Sequence, residues 1–133
     1  MYDIMKTTIA AGNLKTLTRA IQKAGLNNIL SSNGPYTIFA PSDQAFSKFP
    51  QDKIENLLRD KDRLMAVVKS HIHSGKLTSQ SISKLRKIKT INGKELSINT
   101  TKGICVENAY VIKPDMECTN GVIHIIDNVL QFK

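Results

Sequence analysis

The chain has 133 residues, 41% of them hydrophobic, with four Phe, three Tyr and no Trp, which suffices for one domain, spanning residues 1–133, with an aliphatic core. No run reaches the ~18 apolar residues of a membrane span, and the first residues lack the apolar centre and small-residue cleavage site of a signal peptide. The formal net charge of +8 points to an anionic partner or surface, or to solubility alone.

Residues 2–30 read as helical. Ile4, Thr8 and Ala11 share one face, Gly12-Asn13 breaks the segment, and Asn13 offers an N-cap. Leu14, Leu17, Ile21 and Ala24 follow at helical spacing, Gly25 stands where a left-handed C-cap belongs, and residues 26–30 add a turn. Residues 31–35 form a loop, and Tyr36 to Ala40 a short strand ended by Pro41. Ser42 and Asp43 supply an N-cap and a first-turn acid for a helix that buries Ala45, Phe46 and Phe49 and stops at Pro50. Ile54, Leu57 and Leu58 mark a second short helix. Leu64, Val67, Val68 and His71 mark a third, ended by His73-Ser74-Gly75.

Residues 78–85 read as one helical turn capped by Thr78 or Ser79. The apolar period then changes to two, giving strands at 88–91, 95–100, 104–107 and 110–112, with turns at Asn92-Gly93, Lys102-Gly103 and Asn108-Ala109. Residues 120–130 are the most apolar run, rich in Val and Ile, and read as a central strand buried on both faces. Val129 to Phe132 then completes the sheet. Helices lead and hairpins close, which is α+β order.

Tyr36-Thr37-Ile38-Phe39-Ala40-Pro41-Ser42-Asp43-Gln44-Ala45-Phe46 resembles the first signature of fasciclin-like domains. Asn120-Gly121-Val122-Ile123-His124-Ile125-Ile126-Asp127-Asn128-Val129-Leu130 is similar to their second. Between them, residues 67–77, Val-Val-Lys-Ser-His-Ile-His-Ser-Gly-Lys-Leu, are similar to the family's stretch around a Tyr-His pair. The resemblance implies a β-sandwich or wedge of about seven strands with a helical layer. It also implies a non-catalytic module for adhesion at the cell surface or outside the cell. Phe39, Pro41, Phe46, Gly121, His124 and Asp127 are the motif positions expected to build the fold. The chain departs from the family at Ser70, where the tyrosine is missing; in animal members that region is implicated in integrin binding. Lys113-Pro114-Asp115-Met116 resembles a second integrin-linked segment, with Lys113 in place of its leading acid.

His124 is either a catalytic base or metal ligand, or a core histidine with its ring nitrogens satisfied. Its apolar neighbours Val122 and Ile126 and the lack of a companion nucleophile favour the core role. Asp43 and Asp127 read as cap and turn residues. His71 and His73 are two apart, which does not place them on one helix face, so no metal site is expected. Cys105 and Cys118 permit one disulfide or two free thiols, with Cys118 in the loop before Asn120-Gly121. No cofactor is expected.

Two exposed partner-binding stretches are expected: Ser70, His71 and His73 on the helical side, and the basic run Lys84, Arg86, Lys87 and Lys89, extended by Lys76, Lys94 and Lys102. Such a patch suits a cell-surface protein, an anionic polysaccharide or anionic lipid headgroups at a membrane surface. Nucleic acid is not expected, because no aromatics are interleaved for base stacking. A solvated lysine strand guarding a sheet edge is the bland reading. Self-association would add valency. The rival function is a small-ligand or lipid carrier with a cleft between helices and sheet.

Overall fold

A computed structural model describes residues 3–31 and 34–130. The chain opens with helices α1 (Ile4–Ala10), α2 (Lys15–Ala24) and α3 (Asn27–Leu30). Gly25 adopts φ 74° and closes α2, as expected of a left-handed cap. The start of α2 departs from expectation, because its cap residue is Leu14, whose side chain cannot accept a hydrogen bond. Asp43 caps it instead, accepting from Lys15 N–H (3.3 Å) and Thr16 N–H (2.8 Å). Asn13 contributes its backbone carbonyl, which accepts the Asp43 N–H at 2.8 Å.

Strand β1 (Tyr36–Pro41) follows, then α4 (Asp43–Ser47), α5 (Gln51–Arg59) and α6 (Lys61–Lys69). The Ser42 and Asp60 side chains cap α4 and α6. The third expected helix ends earlier than the sequence indicates. Ser70 is its C-cap, and Ile72–Ser74 forms an unanticipated strand, β2. Helix α7 (Ser79–Ile82), capped by Thr78, then leads into β3 (Lys87–Lys89), β4 (Glu95–Asn99), β5 (Cys105–Val106), β6 (Ala109–Cys118) and β7 (Gly121–Ile126). β6 is longer than expected. It passes Pro114-Asp115 through an irregularity where Asp115 takes φ 60°, so Cys118 ends a strand and does not lie in the loop. No strand forms at Val129–Leu130; residues 131–132 of that expected strand lie outside the described residues.

The seven strands run in the order β2-β1-β7-β6-β5-β4-β3. All neighbours are antiparallel except β1 and β7, which are parallel. The outermost strands also meet. Ile91 N–H, just past β3, donates to Ile72 O in β2 at 2.9 Å, so the sheet wraps on itself into a wedge. This is the α+β architecture expected.

The sheet has two buried faces. On one, Ile38, Ala40, Ile123 and Ile125 pack against the helical layer with Leu17, Ile21, Leu64 and Val68. On the other, Phe39 and Ile126 join Ile82, Ile88, Leu96, Val106 and Leu130 inside the wrap. All six residues of β7 are buried, because alternate side chains enter alternate cores. Gly121 is required by close approach: a Cβ there would lie 1.9 Å from Tyr36 O. No helix among the described residues is long and apolar enough to cross a membrane.

Candidate functional site

His124 sits on β7 with none of its surface exposed. Its Nε2–H donates to Leu77 O at 2.6 Å, and its Nδ1 accepts the Asp115 N–H at 3.1 Å. Phe39 stacks on the ring, centroids 5.8 Å apart. The Asp115 carboxylate lies 4.0 Å from Nδ1, but that nitrogen already accepts a backbone proton, so the pair is not ionic. Burial holds the His124 pKa below its ordinary value and keeps the ring neutral. Both nitrogens are therefore committed to the fold, in keeping with the core role read from the apolar neighbours.

Asp115 completes this fastening. Its carboxylate accepts from the Ser79 N–H at 2.7 Å and from the Ser79 hydroxyl, tying β6 to the start of α7. Partial burial alone would raise its pKa; the two Ser79 bonds outweigh that and hold it below the usual carboxylate range. The Lys113–Met116 segment thus has a structural job at the irregularity in β6.

Two residues expected on an exposed surface are not there. Ser70 and His71 are each 2% exposed, because α6 ends at Lys69 and the chain turns inward to start β2. Ser70 Oγ donates to Ala66 O at 2.8 Å and accepts from Asn92 Nδ2 at 3.1 Å. His71 Nδ1–H donates to Val67 O at 2.7 Å, and its Nε2 accepts the Leu130 N–H at 2.8 Å. Burial pushes the His71 pKa down to about 4. His71 thus repeats the His124 arrangement, a neutral ring bridging two backbone segments.

His73 differs. It is half-buried on β2, opposite Thr37, and its Nδ1–H donates to Lys89 O at 2.6 Å. This bond places it at the seam where β2 meets β3. The two stretches singled out in the sequence are therefore neighbours, joined by His73 to Lys89, Ile72 to Ile91 and Ser70 to Asn92.

Lys84, Arg86, Lys87 and Lys89 are all exposed, with Ile88 buried between the last two. Lys87 and Lys89 share the outer face of β3, about 7 Å apart along the strand. None of the four forms an ion pair among the described residues. Exposed Lys94 extends the group at the hairpin turn, and Glu95 stands opposite Lys89 in register. Lys76 leaves the group, because it pairs with Glu117 at 3.0 Å.

The remaining motif positions support the frame. Phe39, Pro41 and Phe46 are buried. Asp127 follows β7, half-buried, and accepts the Tyr110 N–H at 2.7 Å. Cys105 and Cys118 are two free thiols, the second buried. A cleft of about 450 Å³ lies among helices α2, α4 and α5, lined by Phe46, Phe49, Ile54 and Leu58 together with Arg19 and Glu55. Sequence periodicity marked these apolar residues as helix faces and carried no signal that three helices would leave a gap.

A sequence profile described as Fasciclin domain matches residues 12–132. The chain belongs to the fasciclin-domain family. It is 37% identical over 130 residues to the uncharacterized protein sll1735 of Synechocystis sp., covering 98% of both chains. It is 32% identical to transforming growth factor-beta-induced protein ig-h3 of Sus scrofa, covering 98% of this chain and 19% of that one. It is 31% identical to immunogenic protein MPB70 of Mycobacterium bovis, covering 92% and 66%. Among solved structures, the FAS1 domain pair of the insect cell adhesion molecule fasciclin I superposes with a TM-score of 0.84 at 19% identity, covering 97% of this chain and 50% of that one. At that identity the likeness concerns the fold, and this chain spans half the length of the insect domain pair.

Proposed function

We propose that this fasciclin domain is a non-catalytic adhesion or interaction module that works at the cell surface or outside the cell. Its partner, a surface protein or acidic glycan, is anionic and meets the protein at Lys84, Arg86, Lys87 and Lys89. The observation that carries this is the contrast in commitment among the polar groups. The buried histidines spend both nitrogens on backbone, while four neighbouring cations stand exposed with no ion pair among the described residues. Grouped like charges raise the local potential and steer an anion to the surface, an effect that weakens with salt. The family's tie to an insect cell adhesion molecule supports the class of function.

The test is the combined variant Lys84→Glu, Arg86→Glu, Lys87→Glu and Lys89→Glu. Its retention on an immobilised sulfated polysaccharide and on an acidic protein should fall at least tenfold at physiological salt, with melting temperature unchanged. Retention equal to wild type contradicts the reading.

A second reading is a small-ligand carrier, favoured by the cleft among α2, α4 and α5, whose volume lies in the range of small-molecule sites. Native mass spectrometry of purified protein should then show an added apolar mass that Leu58→Trp removes. A bare mass in every preparation counts against it.

A further inference from the structure

The cleft among α2, α4 and α5 combines apolar and charged side chains. Phe46 and Leu58 are buried along it, and Phe49 and Ile54 are half-buried. Three charged residues line it: Arg19, Asp43 and Glu55. Both acids are already engaged. Asp43 accepts the Lys15 N–H with one oxygen and the Thr16 N–H with the other. Glu55 accepts from Gln51 Nε2 at 3.4 Å with one oxygen, and its other lies 3.9 Å from Arg59. Arg19, in contrast, has no ion pair and no hydrogen bond to its guanidinium among the described residues. The Thr16 hydroxyl, three positions earlier on the same face of α2, also lacks an acceptor among them. Helix α2 itself favours an anion. Lys15, Arg19 and Lys23 recur at every fourth position, all exposed, and the helix carries no acid. Like charges in such a row repel one another, and an anion beside the central one relieves the repulsion.

We infer that this cleft binds a small organic carboxylate with an apolar tail. The inference names a ligand class for the small-ligand reading and rests on it. The carboxylate would accept a forked pair of hydrogen bonds from the Arg19 guanidinium and a further one from the Thr16 hydroxyl. Its tail would cover Phe46, Phe49, Ile54 and Leu58, in the usual division of a small-molecule site into an apolar lining and a few placed polar groups. A cation of the same shape would have to displace the partners of Asp43 or Glu55. A neutral molecule would leave Arg19 unused.

The probes are octanoate, octan-1-ol, octylammonium and acetate, each titrated into the wild-type protein and followed by amide chemical shifts. Octanoate should move the amides of Arg19, Phe46, Ile54 and Leu58 and bind about fivefold more tightly than octan-1-ol. Octylammonium should bind more weakly than either. Acetate, a charge without a tail, should leave those amides unmoved. Arg19→Gln should abolish the advantage of octanoate and leave octan-1-ol binding as in wild type. Leu58→Trp should fill the cleft and remove both. Should Leu58→Trp fail to fold, Ile54→Trp, at a half-buried position, takes its place. Octan-1-ol or octylammonium bound in the cleft as tightly as octanoate, or octanoate binding unchanged by Arg19→Gln, overturns the carboxylate assignment and leaves the small-ligand reading standing. Acetate bound there as tightly as octanoate overturns the role given to the apolar lining. Cleft amides that none of the probes moves overturn the inference and the small-ligand reading together.

Discussion

Strands β7 and β3 lie in one sheet and use their polar groups in opposite ways. Every residue from Gly121 to Ile126 is buried, whereas in β3 only Ile88 is. The β7 histidine has both nitrogens bonded to backbone; the β3 lysines have no ionic partner among the described residues. Inside, an unpaired polar group costs about 1–3 kcal/mol, so each one is matched. Outside, water satisfies a cation at little cost, so charge remains available to a partner. A histidine in the most apolar run is thus part of the fold, and the surface that can recognise something is the strand whose polar side chains face solvent.

The sharpest break on the interior side is Gly121→Ala. Its Cβ would enter the Tyr36 carbonyl, and backbone cannot step aside as a side-chain tip can. The expected loss is about 4 kcal/mol or more, or failure to fold, read from denaturant unfolding. Next comes His124→Ala, which leaves Leu77 O and Asp115 N–H unpaired beside a cavity under Phe39. About 3 kcal/mol should be lost. A loss near zero would show that the ring nitrogens do no structural work.

Acid probes the same region without mutation. His71 has a folded pKa of about 4, below its ordinary 6.5, so protonation favours the unfolded chain. Its contribution is fully present above pH 6.5, declines as pH falls from there, and is gone below about 4. The full change is on the order of 3 kcal/mol. His124, also held low by burial, acts in the same direction. Unfolding midpoints measured across pH 7 to 4 should drop, and in His71→Gln the drop should shrink. A flat profile contradicts the buried, neutral assignment. Smaller still is Asp43→Ala, which removes a cap from α2 while leaving Ser42 to cap α4. About 1 kcal/mol is expected. At the far end stands the fourfold charge reversal around β3, whose cost in stability should stay within about 0.5 kcal/mol, as for surface sites without special contacts.

Much of this contrast is visible in the residues. The period-two pattern and the Val- and Ile-rich run at 121–126 announce a strand buried on both faces, and the apolar neighbours of His124 announce its burial. The alternation of Lys87, Ile88 and Lys89 announces an exposed basic face. What escapes is set by distance. Asp43 reads as a first-turn acid of its own helix, yet it caps a helix 27 and 28 positions earlier, and its only trace is Leu14, a residue unable to cap, where a polar side chain belongs. Ser70 and His71 read as the last turn of the third helix, with His71 at the end of its apolar face and the stretch open to a partner. Their inward turn depends on partners at Asn92 and Leu130 that no local window contains. β2 has three residues and no alternation long enough to see, and Pro114 hides the continuity of β6 because proline usually ends a strand. The meeting of β2 with β3 follows from the wrap of the whole sheet, so the nearness of His73 to Lys89 had no signal in the chain.

The most direct test of the central claim is a map of amide chemical shifts as an anionic ligand is added, using a short sulfated polysaccharide on the wild-type protein. The account predicts shifts concentrated at residues 84–89 and at His73, with Val122 to Ile126 unmoved. Shifts centred instead on Arg19, Phe46 and Leu58, or spread evenly over the surface, would contradict it.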